Sequence, residues 1–155
     1  MFKHVLVTLD GTPRGESVIP YATEVARAMH AQLTLLRVIE SASADWSERG
    51  AIGKASADET IRSLFTDQAH CYLECVSSQI AASGVPVQTS VRQGQPARQI
   101  VAAAKDLDVD AIAMSTHSRR GVSRLMFGSV AEQVLHETSL PVLYWFTPNS
   151  TAAVL

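Results

Sequence analysis

Cysteine is nearly absent: Cys71 and Cys75 are the only two in 155 residues. Two thiols make no disulfide framework, and a spacing of four on a helix suits a shared face better than disulfide geometry. A metal or redox centre would need further ligands. His70 is adjacent in sequence but points about 100° away on a helix of roughly 3.6 residues per turn. The expectation is two small, buried, apolar side chains. The five histidines, His4, His30, His70, His117 and His136, are scattered without metal-ligand spacing. Excess charge of one sign is also missing. Thirteen Lys and Arg stand against fifteen Asp and Glu, a formal net charge of -2, which denies the chain the basic field that nucleic acid or an anionic membrane surface requires. No apolar run approaches the roughly 20 residues that span a bilayer. Met1-Phe2-Lys3-His4 leads directly into a strand-like run with no signal-peptide h-region or cleavage site, so a cytoplasmic protein is expected. The turn after the first strand holds neither G-x-G-x-x-G nor a Walker lysine pattern, which leaves a dinucleotide fold and a P-loop NTPase without support.

What is present is a core-forming composition, 46% hydrophobic and 18% charged, enough for one domain that needs no staples. The domain is expected over residues 1–147, with a frayed tail over 148–155. Strand-like apolar runs alternate with helical patterns, the mark of βαβ units and a parallel, doubly wound α/β sheet. The first strand reads His4 to Leu9. Asp10 to Gly15 then reads as a loop, since Pro20 is tolerable only in a helix's first turn and places that start near Glu16 or Ser17. Val18, Ile19, Ala22, Val25, Ala26 and Met29 share one face of this helix. Leu33 to Ile39 is the second strand, and the Ser-, Ala- and Gly-rich stretch Glu40 to Ala57 reads as a surface excursion. A long helix runs from about Asp58 to Ala82, stopped by Gly84 and Pro86. The third strand is expected over Val85 to Val91. Gly94-Gln95-Pro96 turns into a helix ending near Lys105, and Ala111 to Met114 is a fourth, fully buried strand. Pro141 to Phe146 is the last.

The segment Ser115 to Ser129 carries the most chemistry. It joins the fourth strand to a helix, holds Arg119, Arg120 and Arg124 with no carboxylate between His117 and Arg124, and ends in Gly128-Ser129. Free backbone N–H groups and the positive end of the helix dipole would meet a phosphate there. Ser129-Val130-Ala131-Glu132 fits a capping box, with Val130, Ala131, Val134 and Leu135 facing the sheet. In an open parallel sheet, ligands sit beyond the carboxyl ends of the strands where the winding reverses. Asp10 ends the first strand and the Ser115 segment ends the fourth, so adjacency of those strands would set a carboxylate and an anion cradle across one crevice. Asp10 is equally suited to an Asx turn before Gly11. Only His117 among the histidines lies at this site, and a structural or phosphate-facing imidazole fits it better than a general base. No nucleophile, base and orienting group occur together. A bare edge strand of Val142 to Phe146 would invite pairing with another chain, unless Tyr144 and Phe146 pack on their own helices.

These features, in this order and spacing, resemble the universal stress protein family over nearly the full length. The resemblance rests on a strand ending in Asp10, Leu35-Leu36-Arg37-Val38-Ile39, Gly94-Gln95-Pro96, Met114-Ser115-Thr116-His117-Ser118-Arg119, Gly128-Ser129-Val130-Ala131-Glu132 and Pro141-Val142-Leu143. It implies a five-stranded parallel sheet of order 3-2-1-4-5, an adenine nucleotide (ATP with Mg²⁺) as ligand, and a homodimer formed through Val142 to Phe146. It further implies that Asp10 contacts the ribose or adenosine part, with Gly11 and Thr12 beside it, that the Val38 backbone meets the adenine edge, and that phosphates lie across Ser115, Ser118, Gly128, Ser129 and Val130. Met114, His117, Arg119, Arg120 and Gly121 complete the expected site. Nucleotide-binding members carry glycine, two residues, glycine, nine residues, glycine and then serine or threonine; here Ser115 and Ser118 replace the first two glycines. A positive φ at Ser118 would cost about 1–2 kcal/mol relative to glycine, whereas a negative φ costs little. A serine hydroxyl can itself donate to a phosphate. The implied role is stress-linked regulation, with slow ATP hydrolysis or a nucleotide-free dimer as alternatives.

Overall fold

The computed structural model describes residues 1–40, 55–117 and 128–147. Five strands form one parallel sheet in the order β3-β2-β1-β4-β5: β1 His4–Leu9, β2 Gln32–Ile39, β3 Val87–Gln93, β4 Ala111–His117 and β5 Val142–Thr147. The helices are α1 Pro13–Glu16, α2 Ile19–Met29, α3 Ala55–Ala81, α4 Pro96–Asp106 and α5 Ser129–Glu137.

Side chains alternate across a strand, and the two cores follow that alternation. Val5, Val7 and Leu9 of β1, Leu33 and Leu35 of β2, and Ala111 and Ala113 of β4 pack under α2 and α3. Leu6, Leu36, Ile112 and Met114 pack under α4 and α5. The sheet is therefore doubly wound, and the winding reverses between β1 and β4, which pair from Val5↔Ala111 to Thr8↔Met114. No described helix is long and apolar enough to cross a membrane.

Several expected boundaries move. The turn after β1 is not all loop, because Thr12 accepts the Gly15 N–H and caps the short helix α1, whose first position is Pro13. Ala55 to Ala57 belong to α3 rather than to the surface excursion; 41–54 lie outside the described residues. The third strand starts two residues later than expected, since Val85 is core and Pro86 has no N–H to give a ladder. The fourth strand continues to His117 because β5 pairs with it through Ser115↔Trp145, Thr116↔Phe146 and His117↔Thr147. The last strand correspondingly begins at Val142 and takes in Thr147, while 148–155 lie outside the described residues.

Two packing expectations fail. Cys71 and Cys75 are both exposed, because α3 turns Ala69, Leu73, Val76 and Ile80 inward. Leu135 is also exposed, leaving Ala131 and Val134 as the buried residues of α5. At the outer edge, Trp145 stacks on Tyr21 with ring centroids 3.4 Å apart, and the Tyr144 hydroxyl donates to the Ala131 carbonyl of α5 at 2.7 Å.

Candidate functional site

The carboxyl ends of β1, β2 and β4 open into a crevice of about 720 Å³, within the range of small-molecule sites. Its floor is Thr8 to Gly11, Leu36 to Glu40 and Met114 to Thr116. One wall is the first turn of α5 with Pro96 and Ile100 of α4, and the other is Phe65, Gln68, Ala69 and Tyr72 of α3.

Asp10 is tied locally. Its Oδ1 accepts from the Thr12 N–H at 2.9 Å and the Thr12 hydroxyl at 2.7 Å, an Asx turn, and the Thr12 Oγ1 accepts from the Gly15 N–H at 3.0 Å. The carboxylate thus still lines the crevice with one oxygen already engaged. Gly11 follows at φ +78°, a conformation that favours glycine, and the Arg37 guanidinium packs against its bare Cα, where a Cβ would have to push it aside.

At the opposite wall Gly128, not Ser129, is the N-cap of α5, and no side-chain capping bond forms. The expected capping box is replaced by a tertiary bond, because Thr116, buried in β4, accepts the Gly128 N–H at 3.1 Å. Gly128 has φ −62°, open to any residue, and a Cβ there would find its nearest neighbour, Thr116 Oγ1, 3.9 Å away. Nothing in the surrounding described chain requires glycine at this position. What its bare Cα supplies is access to the start of α5, where Gly128 and Ser129 are exposed and the first-turn N–H groups have no intrahelical partner. Ser115, in a motif-glycine position, sits in β4 and is not among the positive-φ residues, so its side chain strains nothing.

Of the expected site residues, Asp10, Gly11, Val38, Met114, Ser115, Gly128, Ser129 and Val130 line the crevice. Thr12 braces Asp10 from behind it, and His117 closes β4. Ser118, Arg119, Arg120 and Gly121 lie outside the described residues. Val38 is half-buried, with its side chain on the α4 and α5 face.

Sequence reasoning missed Arg37 and Tyr72. The Arg37 guanidinium lies over the Tyr72 ring, 5.5 Å from its centroid, and its Nη1 is buried without a hydrogen-bond partner among the described residues. The Tyr72 hydroxyl is likewise buried without a bond of good geometry. Burial first, then the carboxylate of Glu16 beside it, pushes this phenol above its ordinary value. The signal was a charged residue inside the apolar run of a central strand, where a parallel sheet is covered on both faces.

A sequence profile described as the universal stress protein family matches residues 1–144. A universal stress protein of Bacillus subtilis is 28% identical over 145 residues, covering 92% of this chain and 98% of its own. A solved structure of a Methanocaldococcus jannaschii protein superposes with a TM-score of 0.78 at 24% identity, over 97% of this chain and 99% of that one. Two further structures share the fold. One is a universal stress protein in complex with cAMP, TM-score 0.67 at 17% identity, covering 94% and 98% of the two chains. The other is the Archaeoglobus fulgidus universal stress protein in complex with dAMP, TM-score 0.62 at 20% identity, covering 93% and 97%.

Proposed function

The chain belongs to the universal stress protein family, and from that premise we propose that the crevice binds an adenine nucleotide, ATP carried with Mg²⁺, in a cytoplasmic, stress-linked regulatory protein. The observation that carries this reading is Gly128. A glycine that neither φ nor the described neighbours require, at the mouth of a crevice and at the start of a helix, has the shape of a seat for a phosphate. Relatives of the same fold in complex with cAMP and dAMP supply the adenine.

In this reading the Ser129 and Val130 N–H groups hold the phosphates over the bare Gly128 Cα, whose own N–H is held by Thr116, and Ser115 lies at the end of β4 beside them. The half-buried strand end at Val38 meets the base edge, and Asp10 faces the adenosine part. Among the described residues no three His, Cys, Asp or Glu side chains gather to hold a metal, so Mg²⁺ would ride on the phosphates. A second copy of the chain, pairing through Val142 to Phe146, would cover the edge of β5.

Calorimetric titration with ATP, ADP and AMP, with and without Mg²⁺, tests the reading alongside thermal melting. Saturable binding with a raised melting temperature is expected. Saturating nucleotide that leaves heat and melting temperature unmoved overturns it.

A further inference from the structure

Helix α3 is longer than the sheet it covers. Its 27 residues span about 40 Å at roughly 1.5 Å each, whereas the 8 residues of β2 span about 26 Å. Because α3 joins two parallel strands, β2 and β3, it runs back against them and its first half overhangs their carboxyl ends. Leu73, Val76 and Ile80 are buried on the sheet, and Ala69 is buried with them. Phe65 stands four residues before Ala69, on the same stripe of the helix, yet it is 53% exposed and forms part of the crevice wall. The strands have run out beneath it. Its neighbour Thr66 accepts a hydrogen bond from the Gln93 side-chain amide at the end of β3, 3.0 Å, which holds this part of α3 in place.

Across the crevice from α3 stand Pro96 and Ile100 of α4, so the space between the two helices is largely apolar. Phosphate is excluded from such a slot, and it has its own seat at α5. A base is the flat part of a nucleotide: its π faces stack on aromatic rings and its polar edges need hydrogen bonds. Gln68, one turn along from Phe65, lines the same wall, is exposed, and makes no side-chain hydrogen bond to the other described residues. Its amide donates and accepts side by side, the complement of the amino donor and N7 acceptor on one edge of adenine, where guanine offers two acceptors. We propose that α3 reads the base, the Phe65 ring stacking on one face of the adenine and the Gln68 amide bonding its N7 edge, with Val38 at another. This inference rests on the nucleotide reading and names the side chains that choose the base.

The test is calorimetric titration of AMP and 7-deaza-AMP, which lacks the N7 acceptor, into wild type and four variants. Phe65→Leu keeps apolar bulk but loses the π face, and is expected to bind AMP about tenfold more weakly at an unchanged ligand-free melting temperature. Phe65→Trp is expected to bind AMP at least as well as wild type. Wild type should prefer AMP to 7-deaza-AMP about fivefold, the worth of one neutral hydrogen bond, and Gln68→Leu should bind the two alike. Leu64, beside Phe65, is exposed but does not line the crevice, so Leu64→Ala should bind both as wild type does. A Phe65→Leu protein with wild-type affinity overturns the stacking, and one that loses melting temperature but no affinity gives Phe65 a packing role instead. Equal wild-type affinity for AMP and 7-deaza-AMP overturns the Gln68 contact. Leu64→Ala weakened as much as Phe65→Leu overturns the assignment as a general effect on the helix. Wild type binding neither nucleotide overturns the nucleotide reading itself.

Discussion

Where the strands of the sheet begin, the polar groups are spoken for; where they finish, several are not. At the beginning, Asp110 accepts the Lys3 and His4 N–H groups at 2.6 and 2.8 Å, and the buried His4 Nε2 bonds the buried Thr34 hydroxyl at 2.8 Å. Loop carbonyls of Lys3, Pro86 and Pro141 take the N–H groups of Gln32, Leu33 and Ile112. At the far end, Arg37 Nη1 is buried without a hydrogen-bond partner among the described residues and the Tyr72 hydroxyl has only the Glu16 carboxylate near it, without a bond of good geometry, and Gly128 leaves a helix start open. One end satisfies itself and so specifies the fold. The other withholds satisfaction, as a binding site must before its ligand arrives.

The contrast predicts that substitutions at the first end cost stability and those at the second cost affinity. Thr34→Val has the largest expected effect, because it strands the His4 ring nitrogen and removes about 1–3 kcal/mol of stability. Chemical denaturation should show that loss, with nucleotide affinity per folded molecule unchanged. Gly128→Ser reverses the pattern. Serine is a good N-cap and its Cβ has room within the chain, so the melting temperature should hold or rise slightly, while the added side chain crowds the phosphate seat and weakens ATP about tenfold, some 1.4 kcal/mol. A Gly128→Ser protein that binds ATP as wild type does would erase the contrast at its sharpest point. The smallest effect belongs to Asp110→Asn. Hydrogen bonds from Lys3, then His4, hold the Asp110 carboxyl below its ordinary value. Its contribution is therefore present above about pH 4 and lost as pH falls through the lowered folded value. The melting temperature of wild type should exceed that of the variant at pH 7, and the gap should close on acidification. A constant gap would mean that the carboxylate charge contributes nothing.

The fold was legible in the sequence because alternation of apolar runs and helical periods fixes a parallel sheet, and the resemblance supplied its order. Boundaries were legible only where local chemistry sets them. Gly84, at φ +83°, ends its helix region as expected. Ser115-Thr116-His117 read as loop because polar residues rarely continue a buried strand, yet pairing with β5 and the Thr116 bond to Gly128 extend the ladder through them. The same tertiary bond displaced the capping box that local pattern favoured. Cys71 and Cys75 were misplaced through residue type. The inward spacing of Ala69, Leu73, Val76 and Ile80 was already in the sequence, and it puts both thiols on the outer side of α3. At the site, Asp10, Val38 and Gly128 were legible as ends of elements. Arg37 was not, because its partnerless buried nitrogen is a fact of three dimensions.

The hydrogen bond from the Tyr144 hydroxyl to the Ala131 carbonyl spans from the sheet's outermost strand to the first turn of α5. Ala131 is also part of the crevice wall. Rim and hub are thus tied together, and a displacement of α5 away from the sheet stretches this 2.7 Å bond or drags the rim along with it.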